Sequence, residues 1–285
     1  MTLLLDATRG RVALIGDVGG HAEALGAELA RLGVADGGRG PLPDDLVVVQ
    51  VGDLVHRGPD SEGVVELVDL HLRRQPERWL QLIGNHEAHY LRPPAFRWPE
   101  RLTRGAARRL RQWRRRGLLH AAVAVRTSEE TLLVTHAGLT EPFWRTVLGA
   151  PRGAHDAAQR IEELLLRNDD VLFRSGVMLR PGRVEPGAGP LWAAAGSELL
   201  PGWLERELPF GQVHGHSSVT DWATGEVRGD PRIAARTVVH VDRKHEITTL
   251  DGGRIVGIDP CHGSRPQTRW RAWVAGPASR YGSQA

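Results

Sequence analysis

The segment LVVVQVGD, residues 46–53, decides the fold class, because an apolar run of β-favouring residues ends there in a glycine and an aspartate. The same order of a short apolar run, a glycine and a polar residue occurs at residues 12–17 and 79–85. Patterns of amphipathic helices follow the first two runs, at residues 21–32 and 62–74. Strands that are apolar throughout and alternate with amphipathic helices are typical of a parallel sheet buried on both faces. The first half therefore predicts an α/β fold with a mostly parallel sheet.

The second half of the chain predicts shorter strands and a longer irregular region. The strands cover residues 121–125, 131–135, 212–213, 237–241, 246–250 and 254–258, and the last two form a hairpin through Asp251-Gly252-Gly253. A proline- and glycine-rich loop is predicted at 180–190. We find no internal repeat and no linker, so we expect one domain at residues 1–265 with an arginine-rich helical insert at about 99–117. Residues 266–285 are expected to form a polar, loosely held tail.

Composition limits the chemistry and the location. The 285 residues carry a formal charge of +3, and Lys244 is the only lysine among 37 basic residues. Cys261 is the only cysteine, which excludes an internal disulfide and a cysteine-based zinc site. Neither a signal peptide nor a run of the ~20 apolar residues of a membrane helix is evident. We therefore expect a cytoplasmic protein without a membrane partner.

The most basic stretch is residues 101–116, where eight arginines surround Trp113. Such a stretch could contact a phosphate-rich ligand, but the more frequent interpretation is a solvated helix face. It is the only feature that favours a nuclease, so we do not expect nucleic acid as a partner.

Residue types that bind hard or borderline metal ions follow the ends of the apolar strands. These strand-end residues are Asp17, Asp53, Asn85, His136 and the pair His214 and His216. In open α/β sheets, ligands bind beyond the carboxyl ends of the strands, where residues distant in sequence meet. A single Gly-Asp after a strand is usually only a turn, but five such strand ends in series predict a shared site. Carboxylate, amide and imidazole ligands suit Mn, Fe or Zn.

Five blocks of the sequence resemble those of the calcineurin-like metallophosphoesterases, and most closely those of the phosphoprotein phosphatase branch with its bacterial members. The blocks are Gly16-Asp17-Val18-Gly19-Gly20, Gly52-Asp53-Leu54-Val55-His56-Arg57-Gly58, Gly84-Asn85-His86-Glu87, His136-Ala137-Gly138 and Gly215-His216. The resemblance runs from about residue 11 to residue 258. It implies a β-sandwich of two mixed sheets flanked by helices, with two metal ions between loops at one end.

The resemblance also implies roles for individual residues. Asp53 would bridge the two divalent ions, and Asp17 would bind the first of them. The second ion would be bound by Asn85, His136 and His216. A metal-bridging hydroxide would attack the phosphorus in line. Arg57 would clamp the phosphate oxygens, and His86 would protonate the leaving group as general acid.

The sequence departs from the family pattern at two positions near the first ion. Gly19 stands where the family carries a histidine ligand, and His56 stands where an aspartate partners the catalytic histidine. His56 could turn inward and replace the missing ligand, or His21 could reach the site from the start of its helix. With an imidazole in place of the carboxylate, we expect His86 to be a weaker or differently tuned acid.

Two further assignments stay open. His214 lies two residues before His216, on the same side of an extended strand, and could be an auxiliary or outer ligand. A run of alanines follows Pro190-Leu191-Trp192, where related bacterial enzymes often carry an arginine. Arg167 or Arg174 would then have to supply a second phosphate clamp.

These patterns predict a phosphoesterase that hydrolyses phosphate monoesters or phosphoanhydrides with two divalent metal ions. A phosphoprotein and a dinucleoside polyphosphate both remain as substrates, because the loops at 93–117 and 174–202 show no pattern that selects one. The alternative is a phosphate-binding module that lost turnover with its first metal site, which the changes at Gly19 and His56 favour. Retention of the other site residues favours the enzyme.

Overall fold

Two large β-sheets form the centre of the computed structural model, which describes residues 4–179, 187–267 and 269–277. The strands are β1 (Leu4–Asp6), β2 (Arg11–Ile15), β3 (Leu46–Gln50), β4 (Trp79–Leu82), β5 (Leu119–His120), β6 (Ala122–Arg126), β7 (Thr131–Thr135), β8 (Gln212–His214), β9 (Thr220–Asp221), β10 (Glu226–Val227), β11 (Thr237–His240), β12 (His245–Leu250), β13 (Gly253–Gly257) and β14 (Trp273–Ala275). The helices are α1 (Ala22–Arg31), α2 (Ala35–Gly38), α3 (Ser61–Arg74), α4 (Asn85–Leu91), α5 (Arg104–Arg115), α6 (Glu141–Thr146), α7 (Ala154–Leu166), α8 (Leu200–Trp203) and α9 (Pro231–Ala234). Of the loop expected at 180–190, residues 180–186 lie outside the described ranges.

The five-stranded sheet follows the pattern expected of the first half of the chain. Its order is β14-β2-β3-β4-β5, with β2 to β5 parallel and β14 antiparallel to β2. The register sets Leu14 beside Val49 and Val49 beside Leu80, so the three side chains form a row on one face. Parallel strands need long crossover connections, which α1 and α3 supply here.

The seven-stranded sheet has the order β1-β6-β7-β8-β13-β12-β11 and mixes parallel with antiparallel pairs. A row of fully buried valines crosses its middle and belongs to the same apolar cluster as Leu14 and Val49; its members are Val123, Val134, Val213 and Val256. Burying one such side chain contributes ~1.5–3 kcal/mol. The two sheets therefore pack face to face as a sandwich of mixed sheets, which confirms the predicted fold class.

Helices cover the outer faces of the sandwich. α1 and α3 pack together on the five-stranded sheet, and α7 packs on β6 and β7. α5 is the predicted insert helix and packs against α3 and α4. It buries Leu110 and Trp113 and turns most of its arginines to solvent, so the basic stretch forms a solvated helix face. Within the described ranges, no helix combines the length and the apolar composition needed to cross a bilayer.

The last described strand corrects the expectation of a loose tail at 266–285. β14 pairs with β2 and sets Trp273 beside Leu14, and Trp270 is also buried. A strand of three residues is too short to show alternation in the sequence, and the polar residues around it dominate the composition. Residues 278–285 lie outside the described ranges.

Candidate functional site

The strand-end residues meet at one end of the sandwich. Asp17 follows β2, Asp53 follows β3, Asn85 begins α4 after β4, and His136 and His216 follow β7 and β8. All five side chains are buried. Their loops include residues with left-handed backbone, with φ of 55° at Asp53 and 66° at His216. Non-glycine residues pay a steric cost in this region, and such strain is concentrated at functional sites.

Four of these residues form a contact group. One ligand atom from each of Asp53, His136 and His216 lies within 4.8 Å of the others. The amide oxygen of Asn85 lies 3.1 Å from Nε2 of His136 and 3.1 Å from Nδ1 of His216. Nε2 of His136 is 3.4 Å from Oδ1 of Asp53. The structure thus brings together all the residues to which the resemblance assigns the second ion.

The donor chemistry of this group fits a divalent cation. Nδ1 of His136 donates to the carbonyl oxygen of Val51 at 2.9 Å, which leaves the lone pair of Nε2 directed into the group. The amide oxygen of Asn85 then faces only acceptors. If the Asn85 amide were flipped, its NH₂ group would donate hydrogen bonds to the same atoms. A bound cation would instead be coordinated by the carboxylate oxygen, the amide oxygen and both imidazoles. One carboxylate, one amide oxygen and two imidazoles suit Mn, Fe or Zn.

Fewer side chains converge on the side to which the resemblance assigns the first ion. Oδ1 of Asp17 accepts a hydrogen bond from the backbone N–H of His216 at 2.9 Å. Across the described ranges, Asp17 does not join a group of three potential ligand side chains. The space beside Gly19 is bordered by Arg57, since a Cβ added to Gly19 would lie 3.5 Å from Cδ of Arg57.

Neither histidine considered as a replacement ligand turns toward Gly19. Nε2 of His21 lies 2.9 Å from the carbonyl oxygen of Gly263. Nδ1 of His56 lies 2.6 Å from Nδ1 of His86, and Nε2 of His56 lies 2.6 Å from the hydroxyl of Tyr90. The expectation that His56 binds the first ion does not hold in this structure. The reason is that both nitrogens of a fully buried ring are satisfied on the side of α4.

His86 lies between His56 and the contact group. Its Nε2 lies 3.8 Å from Oδ2 of Asp53, and its backbone N–H donates to Oδ1 of Asp53 at 3.0 Å. Burial lowers the pKa of His86. Burial and the neighbouring His86 lower the pKa of His56 to about 3. Both rings are therefore neutral near pH 7.

The two aspartates of the site experience opposite electrostatic surroundings. Burial raises the pKa of Asp17, and the charges of Asp259 and Asp53 raise it further. Burial also raises the pKa of Asp53, but the adjacent imidazoles, His86 first, outweigh burial and hold it below the ordinary value. A bound cation would stabilise both carboxylates in the charged form. Without a cation, the surroundings of Asp17 thus favour its protonated form.

His214 does not continue the alternation expected from the sequence. β8 ends at His214, and the left-handed backbone at His216 breaks the extended segment. Nδ1 of His214 lies 2.8 Å from the carbonyl oxygen of Gly215, and His214 does not belong to the contact group.

The arginines considered as phosphate clamps occupy different places. Arg57 is exposed, and its guanidinium carbon lies 5.7 Å from the ring centroid of Trp98. Arg167 directly follows α7, and its Nη1 lies 3.7 Å from Oε2 of Glu163. Arg174 lies before residues 180–186, which are outside the described ranges. A Cβ added to Gly187 would lie 3.5 Å from Nη1 of Arg174.

Sequence comparison identifies the family. The model of the calcineurin-like phosphoesterases matches residues 10–226, about three quarters of the chain and all five strand-end blocks. The chain belongs to the calcineurin-like phosphoesterase family. It is therefore a hydrolase that acts on phosphate esters, which confirms the resemblance drawn from the five blocks. A search of curated proteins finds no significant match.

Among the solved structures that are similar to this phosphoesterase at low sequence identity, two with TM-scores above 0.5 share its fold. A cold-active protein tyrosine phosphatase has a TM-score of 0.54 at 13% identity, covering 93% of this chain and 74% of that one. A single-residue variant of a cold-active protein tyrosine phosphatase has a TM-score of 0.51 at 16% identity, covering 90% and 82%. A protein serine/threonine phosphatase from Saccharomyces cerevisiae has a TM-score of 0.47 at 14% identity, covering 91% and 71%.

Glu87 supports the phosphoesterase site, although the sequence analysis gave it no role. Its carboxylate accepts hydrogen bonds from the backbone N–H groups of Asp53 and Leu54 at 2.8 Å and of Gly84 at 2.9 Å. These bonds tie α4 to the strained loop after β3. The sequence feature that could have indicated this role is the position of Glu87 in the Gly84-Asn85-His86-Glu87 block.

Asp259 and Tyr90 were also missed. Asp259 directly follows an apolar strand pattern, so it carries the same signal as the other strand-end residues. It is buried, and its Oδ1 accepts from the backbone N–H of Cys261 at 2.7 Å. Tyr90 lies four residues after His86 on α4, which places both on one helix face.

Proposed function

We infer that the chain is a metal-dependent phosphoesterase that hydrolyses phosphate monoesters or phosphoanhydrides and uses two divalent ions, of Mn, Fe or Zn. The observation that carries this proposal is the contact group of Asp53, Asn85, His136 and His216, whose facing acceptor atoms a cation would satisfy. These four residues would hold the second ion. Asp17 and the shared Asp53 would hold the first. A cytoplasmic location stays a prediction.

Two basic side chains beside the metal group are suited to phosphate chemistry. Arg57 is exposed beside Gly19, and a guanidinium can bind two phosphate oxygens at once. His86 directs Nε2 toward Asp53, and the neutral ring would donate a hydrogen bond from Nε2 to the leaving oxygen. Divalent ions, when bound, would polarise the phosphate and activate the attacking water.

The proposed substrates are a phosphoprotein or a dinucleoside polyphosphate. Aromatic side chains lie next to His86, with ring centroids 4.7 Å away at Trp98 and 5.5 Å away at Phe96. Both are partly exposed, so a flat ring on the leaving group could pack against them. Phosphotyrosine and adenosine both carry such a ring, whereas phosphoserine does not.

A metal-dependence assay tests the proposal. The chelator-treated protein should hydrolyse p-nitrophenyl phosphate only after Mn²⁺ is added, and metal analysis of the same sample should find bound Mn²⁺. His216→Ala should lose activity and metal together, whereas His240→Ala, a histidine of β11 outside the site, should keep both. Bound Mn²⁺ without turnover in the unmodified protein would instead favour the phosphate-binding module.

A substrate panel would then separate the two classes. Phosphotyrosine and phosphoserine peptides of one sequence should be compared with diadenosine tetraphosphate under the same metal conditions. We expect the aryl or adenosine substrates to have the higher kcat/KM. Equal rates on phosphoserine and phosphotyrosine peptides would show that the aromatic side chains do not contribute to selection.

A further inference from the structure

A chain of hydrogen bonds runs from the loop after α4 to the ring of His86. The backbone N–H of Leu102 lies 3.1 Å from the hydroxyl of Tyr90, and this hydroxyl lies 2.6 Å from Nε2 of His56. Nδ1 of His56 lies 2.6 Å from Nδ1 of His86. The other nitrogen of His86, Nε2, faces Oδ2 of Asp53 at 3.8 Å. The chain therefore ends at the His86 ring, whose Nε2 faces Asp53, where the proposed function places the phosphate.

His56 is held in this chain by its backbone and by a stacked ring. Its backbone N–H donates to Oγ of Ser61 at 2.8 Å, and the Ser61 hydroxyl donates to Oε1 of Glu100 at 2.8 Å. The ring of Trp98 stacks on His56 with centroids 5.6 Å apart and an interplanar angle of 15°. The His56 side chain is fully buried, so water does not compete for its nitrogens.

If the Tyr90 hydroxyl donates to His56, the direction of each other hydrogen bond in the chain follows. An amide N–H can only donate, so the Tyr90 oxygen accepts from Leu102 and its own proton is available to Nε2 of His56. A neutral His56 that accepts at Nε2 carries its proton on Nδ1 and donates it to Nδ1 of His86. His86 must then carry its proton on Nε2. In this arrangement the protons of Tyr90 and His56 each have an acceptor, and the Nε2–H of His86 faces Oδ2 of Asp53 at 3.8 Å, which is too long for a hydrogen bond.

We propose that Tyr90 and His56 are positioning residues that hold the proton of His86 on Nε2, so that His86 presents an N–H donor to the phosphate or to the leaving oxygen. The inference rests on the proposed function, which supplies the substrate that this donor meets. A carboxylate at position 56 would instead accept a hydrogen bond from the Nδ1–H of His86 and stabilise the imidazolium.

The tautomer of His86 can be measured on the unmodified protein. ¹⁵N-histidine-labelled protein would be loaded with Zn²⁺, which has a filled d shell, and long-range ¹H–¹⁵N spectra would separate Nε2–H from Nδ1–H rings. His86→Asn assigns the signal. We expect Nε2–H for His86 and Nδ1–H for His56. An Nδ1–H or doubly protonated His86 would overturn the proposal, and this reading does not depend on turnover.

Tyr90→Phe removes only the hydroxyl and tests the start of the chain. We expect kcat to fall ~10-fold with KM little changed, and His86 to become a mixture of tautomers. Gln112→Ala, at an exposed position of α5, is the control and should preserve both kcat and the tautomer of His86. His56→Asp should move a proton onto Nδ1 of His86.

A double-mutant cycle separates positioning from packing. In the His56→Ala background the chain is already broken, so adding Tyr90→Phe should not lower kcat further. Additive losses would overturn the proposal. Failure of the proposed function would appear differently, as an unmodified protein without Mn²⁺-dependent turnover, while the tautomer of His86 would still be readable.

Discussion

The two sides of the metal site differ in the number of elements that build them. On the second-metal side, Asn85, His136 and His216 come from three different strand ends and contact one another around Asp53. On the first-metal side, Asp17 contacts the backbone of His216, and Gly19 contributes no side chain. The side chains assigned to the second ion can therefore converge although position 19 carries no side chain, because separate strands position the two sides.

Asp53→Asn should have the largest effect, because the two sides share this carboxylate. We expect kcat for p-nitrophenyl phosphate to fall by ~10³-fold or more, with loss of bound Mn²⁺. Asp44→Asn, an exposed acid, provides the same chemical change outside the site. A decrease in kcat below ~10-fold for Asp53→Asn would argue against a shared ligand.

His136→Ala and Asp17→Ala compare the two sides directly. The second side has more converging ligands, so His136→Ala should release the tighter ion and Asp17→Ala only the weaker one. Titration of Mn²⁺ against a competing chelator measures both sites in each variant. Equal Mn²⁺ affinities of the two sites in the unmodified protein would contradict the expected difference between the two sides.

Acid should destabilise the metal-free protein through the second side. Burial and the adjacent His136 lower the pKa of His216 from 6.5 to about 3. Between pH 6.5 and about pH 3, His216 binds more protons in the unfolded chain than in the folded one. The contribution of His216 to the free energy of unfolding is therefore complete above pH 6.5 and is lost as the pH falls toward about 3. The slope is about 1.4 kcal/mol per pH unit for one histidine.

Urea unfolding with chelator, at about pH 7.5 and about pH 5.5, measures this loss of stability. His216→Asn should reduce the loss by roughly 1 kcal/mol, and His240→Asn should leave it unchanged. An identical pH dependence in all three proteins would contradict the assignment to His216.

Gly19→His should have the smallest effect on activity and would strengthen the weaker side. The backbone at Gly19 has a φ of 52°, where a side chain costs ~1–2 kcal/mol. We expect a lower free energy of unfolding together with tighter binding of the weaker Mn²⁺. Gly19→Asn adds a side chain to the same left-handed backbone but no imidazole, so it should not tighten Mn²⁺ binding. Unchanged Mn²⁺ affinity in Gly19→His would show that Arg57 already fills the space.

The sequence predicted the fold class and the contact group because both depend on local patterns. An apolar strand that ends in Gly-Asp is visible in the sequence, and parallel strands bring such ends together. The orientation of His56 was not predictable, because Tyr90 and Trp98 determine it through contacts made only after folding. The outcome for His21 has the same cause, since its partner Gly263 is distant in sequence. Asp259 was predictable, because it follows its strand as Asp17 and Asp53 follow theirs.

The pairing of β14 with β2 has a consequence for synthesis on the ribosome. β2 is the second strand to be made, but its outer neighbour is made after all the other described strands. Until then, β2 presents an open edge of unpaired backbone groups, which is a template for pairing with another chain. A chain that stopped before Trp273 would keep this edge permanently, with the Asp17 loop next to it. Premature termination would therefore yield an aggregating product even though Asp17, Asp53, Asn85, His136 and His216 had all been synthesised.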